Sequence, residues 1–229
     1  MQIEAIIKNA EFMETRERAL AESLFDEGRL DEARNELTKT ISTLPPSDEL
    51  LACQCLLAKV ELRAGNLYEA LRILVEAYPL SAISPYHILR ARLHMNLGNV
   101  YEAITESDYR DRALIEYEAA RFHLAEAGHY EEAGYVENNI ATILFKMGRT
   151  DAAREHLLSA RDYLKDQPVQ LAEVDITEAQ VCLKEGKSIE AYSLMLDAHR
   201  TFIQCGKKRL LDASMDTMLK AAGDYNYTK

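Results

Sequence analysis

Small and apolar residues recur along the chain three or four positions apart, as in Leu20, Ala21 and Leu24 or in Ala153 and Leu157. This spacing places them on one side of an α-helix. Valine, isoleucine and threonine form no alternating runs, so the pattern predicts no β-strand. We predict one long or broken helix over residues 2–27, and helices over 30–43, 47–64, 67–77, 85–97, 111–127, 130–147, 150–165, 168–185, 188–205 and 208–222.

A short motif recurs where these helices meet: a glycine, then an acidic residue and an alanine four and five positions later in the clearest copies. Glycine adopts the left-handed conformation that ends a helix, and an acidic residue stabilises the first turn of the next one. The small alanine lets neighbouring helices approach, so each copy predicts the turn of a helical hairpin. The copies start at Gly28, Gly65, Gly98, Gly128, Gly148 and Gly186.

These residues resemble the tetratricopeptide repeat (TPR) family, in which hairpins of two helices repeat every 34 residues or about that number. The first copy fills the family's apolar and small positions with Leu20, Ala21, Leu24, Ala33 and Leu37, and Pro45 ends the unit. The resemblance covers residues 28 to 205. It implies an all-α fold, a right-handed α-solenoid of tandem antiparallel hairpins. We expect one domain over residues 1–229 with about five hairpins and a capping helix at 208–222.

The middle of the chain departs from the repeat. The first three motif glycines are 37 and 33 residues apart, whereas Gly98 and Gly148 are separated by 50. Residues 111–120 also have the pattern of a second helix. Residues 99–110 are then an inserted short helix or loop, or residues 99–127 form an extra hairpin. Either arrangement predicts an irregular insertion near residues 104–112.

Composition and charge exclude several functions. The chain has 38 acidic and 27 basic residues and a net charge of −11, which repels phosphate backbones, so we expect no nucleic-acid partner. The N-terminus has no basic leader, and no apolar run approaches the ~20 residues of a membrane span. We therefore expect a cytoplasmic protein without a membrane partner. The four cysteines, Cys53, Cys55, Cys182 and Cys205, lack zinc-ligand spacing and are expected to be free thiols.

Motifs that carry chemistry are missing from the sequence. It has no phosphate-binding glycine loop and no nucleophile elbow. His87 and His94 are seven residues apart, which is not the spacing of a helical zinc site, and we interpret them as half-exposed helix residues. We expect no enzyme activity, no catalytic residue, no metal and no cofactor.

TPR proteins usually bind a peptide on the inner face formed by the first helices of their hairpins. Helical projection of the matched positions predicts eleven groove residues, of which six are basic although the chain is acidic overall. Lysine and arginine bind carboxylates, and asparagine hydrogen-bonds peptide groups, so the set favours an acidic or C-terminal peptide. Cys55 and Leu56 stand where chaperone-binding TPRs have a carboxylate clamp, so we predict no chaperone-tail binding. The set is Arg18, Glu22, Lys59, Arg63, Arg92, Asn96, Asn138, Thr142, Lys146, Gln180 and Lys184.

We interpret the chain as a protein–protein interaction scaffold or adaptor that binds a peptide or protein segment in this groove. One alternative is a regulatory sensor module for a small signalling peptide or ligand. The longer repeats and the stretch Val136–Ala141 favour this alternative, because they resemble TPR variants of bacterial signal-responsive regulators. A second alternative is a self-associating structural protein, such as a homodimer, built on the apolar stripe Ile3, Ile6, Ile7, Ala10 and Met13.

Overall fold

A computed structural model of the chain describes residues 15–104, 106 and 108–227. The start of the first predicted helix and the apolar stripe from Ile3 to Met13 lie outside these residues. The described part is helical throughout and contains no strand. Its twelve helices are α1 (Arg16–Asp26), α2 (Leu30–Ile41), α3 (Asp48–Arg63), α4 (Leu67–Ile83), α5 (His87–Ala103), α6 (Asp108–Ala127), α7 (Tyr130–Lys146), α8 (Thr150–Tyr163), α9 (Pro168–Lys184), α10 (Ser188–Gln204), α11 (Lys208–Ala213) and α12 (Met215–Tyr227).

Neighbouring helices pack as hairpins within two compact units, Met1–His129 and Tyr130–Lys229. The first unit contains the hairpins α1–α2, α3–α4 and α5–α6. The second contains α7–α8 and α9–α10, followed by α11 and α12, which pack against α10. That the whole chain forms one domain stays a prediction.

Each hairpin buries a small residue from its first helix and an alanine from its second helix. Small side chains let the two helices pack closely, and in the first and fifth hairpins the two residues belong to one core cluster. In four hairpins they are twelve positions apart in the sequence. The pairs are Ala21 and Ala33, Ala58 and Ala70, Gly98 and Ala113, Ala141 and Ala153, and Ala179 and Ala191.

The prediction that Gly98 ends a helix is wrong. Gly98 lies buried inside α5, and it is absent from the glycines with positive φ, which include Gly28 at 80° and Gly148 at 80°. A Cβ atom at Gly98 would meet two ring carbons of Tyr117 at 2.6 Å. This glycine therefore permits the close approach of α5 and α6. The interval of 50 residues from Gly98 to Gly148 is therefore not a repeat length, because Gly98 lies inside a helix and Gly148 lies in a turn.

The irregular segment separates α5, which ends at Ala103, from α6, which begins at Asp108, and the described residues form no extra hairpin over residues 99–127. In the third hairpin, the small residues Gly98 and Ala113 are fifteen positions apart, three more than in the other hairpins. The helix that was expected to end at residue 97 continues to Ala103. Ala103, which the motif places in the hairpin interface, is exposed, and Ala113 takes that place.

Two further helix boundaries differ from the prediction. The helix expected at 67–77 continues through Pro79 to Ile83. Pro79 is exposed, so the carbonyl of Val75, which loses its hydrogen-bond donor, lies on the solvent side. The capping helix expected at 208–222 is interrupted at Ser214, a buried residue whose hydroxyl lies 2.8 Å from His199 Nε2, and α12 continues to Tyr227.

Candidate peptide-binding surfaces

Two predicted groove residues of the first unit surround an aromatic ring. Lys59 and Arg63 are one turn apart on α3 and both are exposed. Lys59 Nζ lies 4.9 Å from the centroid of the Phe25 ring, and the Arg63 guanidinium lies 4.8 Å from it. Arg63 Nη1 also donates a hydrogen bond of 2.8 Å to the Phe25 carbonyl. The end of α1 and the exposed face of α3 thus present two cations on one aromatic ring.

A third cation of the first unit, Arg92, is exposed on α5 and lies near α3. Burial raises the pKa of the Cys55 thiol to about 12, and the charge of Arg92 acts in the opposite direction. Cys55 is one turn before Lys59 on α3. The positive charge of Arg92 therefore lies near Cys55, on the helix that carries Lys59 and Arg63.

Four cations of the first helices lack the carboxylate neighbours that most arginines of the second helices have. Within the described residues, Lys59, Arg63, Arg92 and Lys184 have no carboxylate at salt-bridge distance. Most arginines of second helices are neutralised by neighbouring carboxylates. Examples are Arg72 with Glu69 at 2.6 Å, Arg121 with Glu118 at 2.6 Å and Arg200 with Asp197 at 2.8 Å. The inner-face cations are thus available to an anionic partner.

Two predicted groove residues lie in the interior instead. Arg18 is 4% exposed, and its Nε lies 3.3 Å from Glu49 Oε1. Asn96 is 7% exposed, and its Nδ2 donates a hydrogen bond of 2.9 Å to the Cys55 carbonyl. Because these bonds join α1 and α5 to α3, both side chains are engaged in holding neighbouring hairpins together. Glu22, the remaining member of the set in this unit, is half-buried on α1.

The second unit contains a cleft of about 440 Å³ between its successive first helices α7 and α9 and the C-terminal helix α12. The predicted residues Gln180 and Lys184 line it. Lys184 Nζ lies 5.2 Å from the centroid of Phe145, and Gln180 Nε2 donates a hydrogen bond of 3.4 Å to Thr217 Oγ1. The lining consists of Phe145, Gln180, Leu183, Lys184, Asp216, Thr217 and Lys220.

The other predicted residues of this unit, Asn138, Thr142 and Lys146, follow one face of α7. The Thr142 hydroxyl donates to the Asn138 backbone carbonyl at 3.0 Å. The Asn138 Oδ1 atom is buried and has no hydrogen-bond partner within the part of the chain described. Lys146 is exposed at the end of α7, next to Phe145 in the chain.

Sequence analysis missed the lining residues Phe145, Leu183, Asp216, Thr217 and Lys220. Asp216 and Thr217 precede Lys220 by four and three positions, so helical periodicity alone places these residues on one face of α12. That signal was available. The helix was interpreted only as a cap, and nothing local shows that this face lines a cleft.

A histidine cluster in the first unit was also missed. His87 Nδ1 lies 3.0 Å from His123 Nδ1, and the rings of His94 and His123 stack with centroids 5.6 Å apart. His94 Nδ1 lies 2.6 Å from Glu116 Oε2. Burial, with the nearby charges of His94, His87 and Arg90, lowers the pKa of His123 to about 4. The cluster joins α5 to α6, since His123 and Glu116 belong to α6.

Metal-binding clusters and membrane-spanning helices are absent from the described residues. No group of three or more histidine, cysteine or acidic side chains among them could hold a metal ion. No helix in the same part of the chain is long and apolar enough to cross a membrane. Cys53, Cys55 and Cys182 are buried free thiols, and Cys205 is an exposed one.

The tetratricopeptide repeat family model matches residues 18–37, which cover most of α1 and α2. Solved TPR structures also match the chain over nearly its whole length. The chain thus contains a tetratricopeptide repeat sequence at residues 18–37 and has the fold of TPR proteins. The predicted all-α fold of tandem hairpins is thereby confirmed. A comparison with curated protein sequences finds no match.

Three solved structures illustrate this likeness. A signal transduction ATPase with numerous domains (STAND) and a TPR sensor, from Pyrococcus horikoshii, is 14% identical with a TM-score of 0.75; the match covers 88% of this chain and 31% of that one. The apo form of RapI is 14% identical with a TM-score of 0.64, and the match covers 95% of this chain and 87% of RapI. A Rap protein complexed with Competence and Sporulation Factor is 12% identical with a TM-score of 0.64, and the match covers 100% of this chain and 66% of the Rap protein. At these identities the likeness concerns the fold, and the chain spans less than a third of the STAND protein.

Proposed function

We propose that this protein is a scaffold or adaptor that binds an acidic peptide or protein segment on the inner face of its first helices. The observation that carries the proposal is the set of inner-face cations without carboxylate partners, Lys59, Arg63, Arg92 and Lys184, in a chain of net charge −11. Several arginines of second helices, by contrast, are neutralised by neighbouring carboxylates, as at Arg72, Arg121 and Arg200. Cations left unpaired on one face favour an anionic partner, which they also attract over long range.

We also propose that the protein is cytoplasmic and has no enzyme activity. The histidines form hydrogen bonds and ring contacts inside the helical packing, which supports a structural role for them. TPR domains are typically protein-binding modules, and a partner that is a protein segment suits the open surfaces described above better than a small substrate does.

A regulatory sensor is the second candidate. The cleft of about 440 Å³ falls in the range of roughly 300–1,000 Å³ that is typical of ligand sites. One matched structure is a Rap protein complexed with Competence and Sporulation Factor, and another contains a TPR sensor. A signalling molecule bound in this cleft would give the present chain a comparable role. The self-associating alternative rests on the stripe from Ile3 to Met13, outside the described residues.

A pull-down from native lysate tests the leading proposal. Wild-type protein is compared with the variant Lys59→Glu/Arg63→Glu/Arg92→Glu, and captured proteins are identified by mass spectrometry. We expect the wild type to retain a partner that the variant loses, because reversing three cations replaces attraction with repulsion. Circular dichroism checks that both proteins have the same helix content.

The matched control is Lys39→Glu/Lys165→Glu/Lys208→Glu, which changes the charge equally at exposed lysines outside the first helices. This control is expected to retain the partner. Capture of the same proteins by wild type and by the inner-face variant would contradict binding at that surface.

A further inference from the structure

The cleft between α7, α9 and α12 has an apolar side and a cationic side. Phe145 and Leu183 are half-buried in its lining, so each leaves apolar surface open to the cleft. Lys184 Nζ lies 5.2 Å from the Phe145 ring centroid, which places a positive charge directly beside that apolar surface. An occupant that covers Phe145 therefore brings its next polar group to Lys184.

A second cation, Lys220, reaches the cleft from α12, so the two lysines come from different helices. Neither has a carboxylate at salt-bridge distance within the described part of the chain. Asp216 is one turn before Lys220 on α12 and also lines the cleft. Its negative charge disfavours occupants with several adjacent charges, such as phosphate groups, while two lysines suffice for a single carboxylate.

The polar groups of the cleft suit a peptide. Gln180 and Thr217 lie opposite each other on α9 and α12, and the hydrogen bond between them is long at 3.4 Å. An amide and a hydroxyl together offer donors and acceptors to the main chain of an extended segment. Such a segment can replace the weak bond between them with bonds to itself.

We infer that this cleft is a subsite for a peptide segment in which an apolar side chain adjoins a carboxylate, and that α12 is part of the subsite. The apolar side chain covers Phe145 and Leu183, and the carboxylate is bound by Lys184 and Lys220. The inference rests on the proposed peptide-binding function and assigns it a ligand chemistry.

The C-terminal helix contributes to the core and to the cleft at once. Ala221 is fully buried in a cluster with Ala179, Ala191 and Met195, and Met218 packs against that cluster. Thr217 and Lys220, on the adjacent face, line the cleft. A ligand that bridges α9 and α12 must therefore strengthen the docking of α12, and its binding should slow amide hydrogen exchange in residues 215–223.

Selection from a displayed library of random decapeptides on the full-length protein tests this inference. We expect enriched peptides that share an apolar residue next to Asp or Glu. A synthetic enriched peptide should bind Lys184→Glu/Lys220→Glu about tenfold or more weakly, since like charges would then meet. It should also bind Phe145→Ala more weakly, and it should slow exchange in α12 of the wild type. The control Lys165→Glu/Lys208→Glu should bind it as the wild type does.

Three results would overturn the inference: no enrichment, enriched peptides without the acidic and apolar pair, or equal binding to the cleft variants. The lysines are exposed, so their variants should fold, and thermal melts check this. Peptides that are lost with Lys59→Glu/Arg63→Glu but kept by Lys184→Glu/Lys220→Glu would leave the proposed function standing and refute this subsite. Peptides insensitive to both pairs of changes would contradict both.

Discussion

At the scale of single residues, two helical glycines allow close packing of helices. A Cβ atom at Gly98 would meet the Tyr117 ring at 2.6 Å, and one at Gly134 would meet Leu164 Cγ at the same distance. Tyr117 is itself fixed, because it is fully buried and its hydroxyl donates to Asn99 Oδ1 or Glu102 Oε2 at 2.8 and 2.9 Å. The ring cannot move aside without breaking these bonds.

Gly98→Ala is therefore expected to destabilise the first unit by about 1–3 kcal/mol, the usual cost of overpacking a core. The measurement is urea denaturation followed by circular dichroism. Gly223→Ala is the matched control, since it lies in α12 with nothing within 4 Å of the added carbon. There, alanine should be neutral or stabilise by roughly 0.5–1 kcal/mol through helix propensity. Equal stability of Gly98→Ala and wild type would refute the packing argument.

The histidine cluster gives stability a specific pH dependence. The pKa of His123 is about 4 in the folded protein and about 6.5 in an unfolded chain. The folded protein thus favours neutral His123, so stability is complete above pH 6.5 or so and is lost progressively as the pH falls toward 4. Glu116, which is paired with His94, is the carboxylate nearest the cluster on α6.

His123→Gln should weaken this dependence. Thermal unfolding midpoints are measured between pH 7.5 and 4.5, and we expect the wild type to lose more stability on acidification than the variant. The difference between the two proteins reports on His123 together with the two histidines that contact it, His87 and His94. If the unfolding midpoints of the two proteins fall in parallel with pH, His123 is protonated equally in the folded and unfolded states.

At the scale of elements, an arginine that follows the motif alanine joins one hairpin to the next. Arg34 follows Ala33 on α2, and its Nε lies 2.5 Å from Oε1 of Glu61 on α3, a residue that is 4% exposed. In the second unit, Arg154 follows Ala153 on α8 and pairs with Glu185 at 2.7 Å. The repeat thus carries a polar connection between hairpins beside its apolar core.

Replacement of Arg34 by Met should destabilise the protein by roughly 1–3 kcal/mol, because the buried Glu61 loses its charged partner and keeps only Asn66. Arg72→Met removes two exposed pairs within α4, with Glu69 and Glu76, and should cost about 1 kcal/mol or less. Denaturation midpoints of both variants provide the comparison. A cost for Arg34→Met no larger than for Arg72→Met would show that the connection contributes little.

At the scale of the whole molecule, an acidic chain carries unpaired cations on first helices of both of its units. The chain carries −11 overall, yet cations without carboxylate partners lie on first helices of both units, at Lys59, Arg63 and Arg92 in one and at Lys184 in the other. A long acidic segment could engage either surface. The pull-down and the peptide selection examine the two surfaces separately, so each can succeed or fail by itself.

Local rules determined the helices and most of their ends. Helical periodicity and turn glycines need only a few neighbouring residues, and Gly28, Gly65, Gly148 and Gly186 all have the positive φ that the motif requires. The cations Lys59, Arg63 and Lys184 were found in the same way, because periodicity places residues on a helix face without knowledge of the partner helix.

Tertiary structure decided everything that depends on residues distant in the sequence. Gly98 begins a copy of the turn motif, but it lies inside α5, where it packs closely against Tyr117 of the next helix. His87 and His123 meet across 36 positions, and Phe145 and Lys220 line one cleft although 75 positions separate them. Arg18 and Asn96 have the expected helical phase, yet their hydrogen bonds to α3 draw them inside. Such contacts depend on how the helices pack, and the periodicity of a single helix does not contain that information.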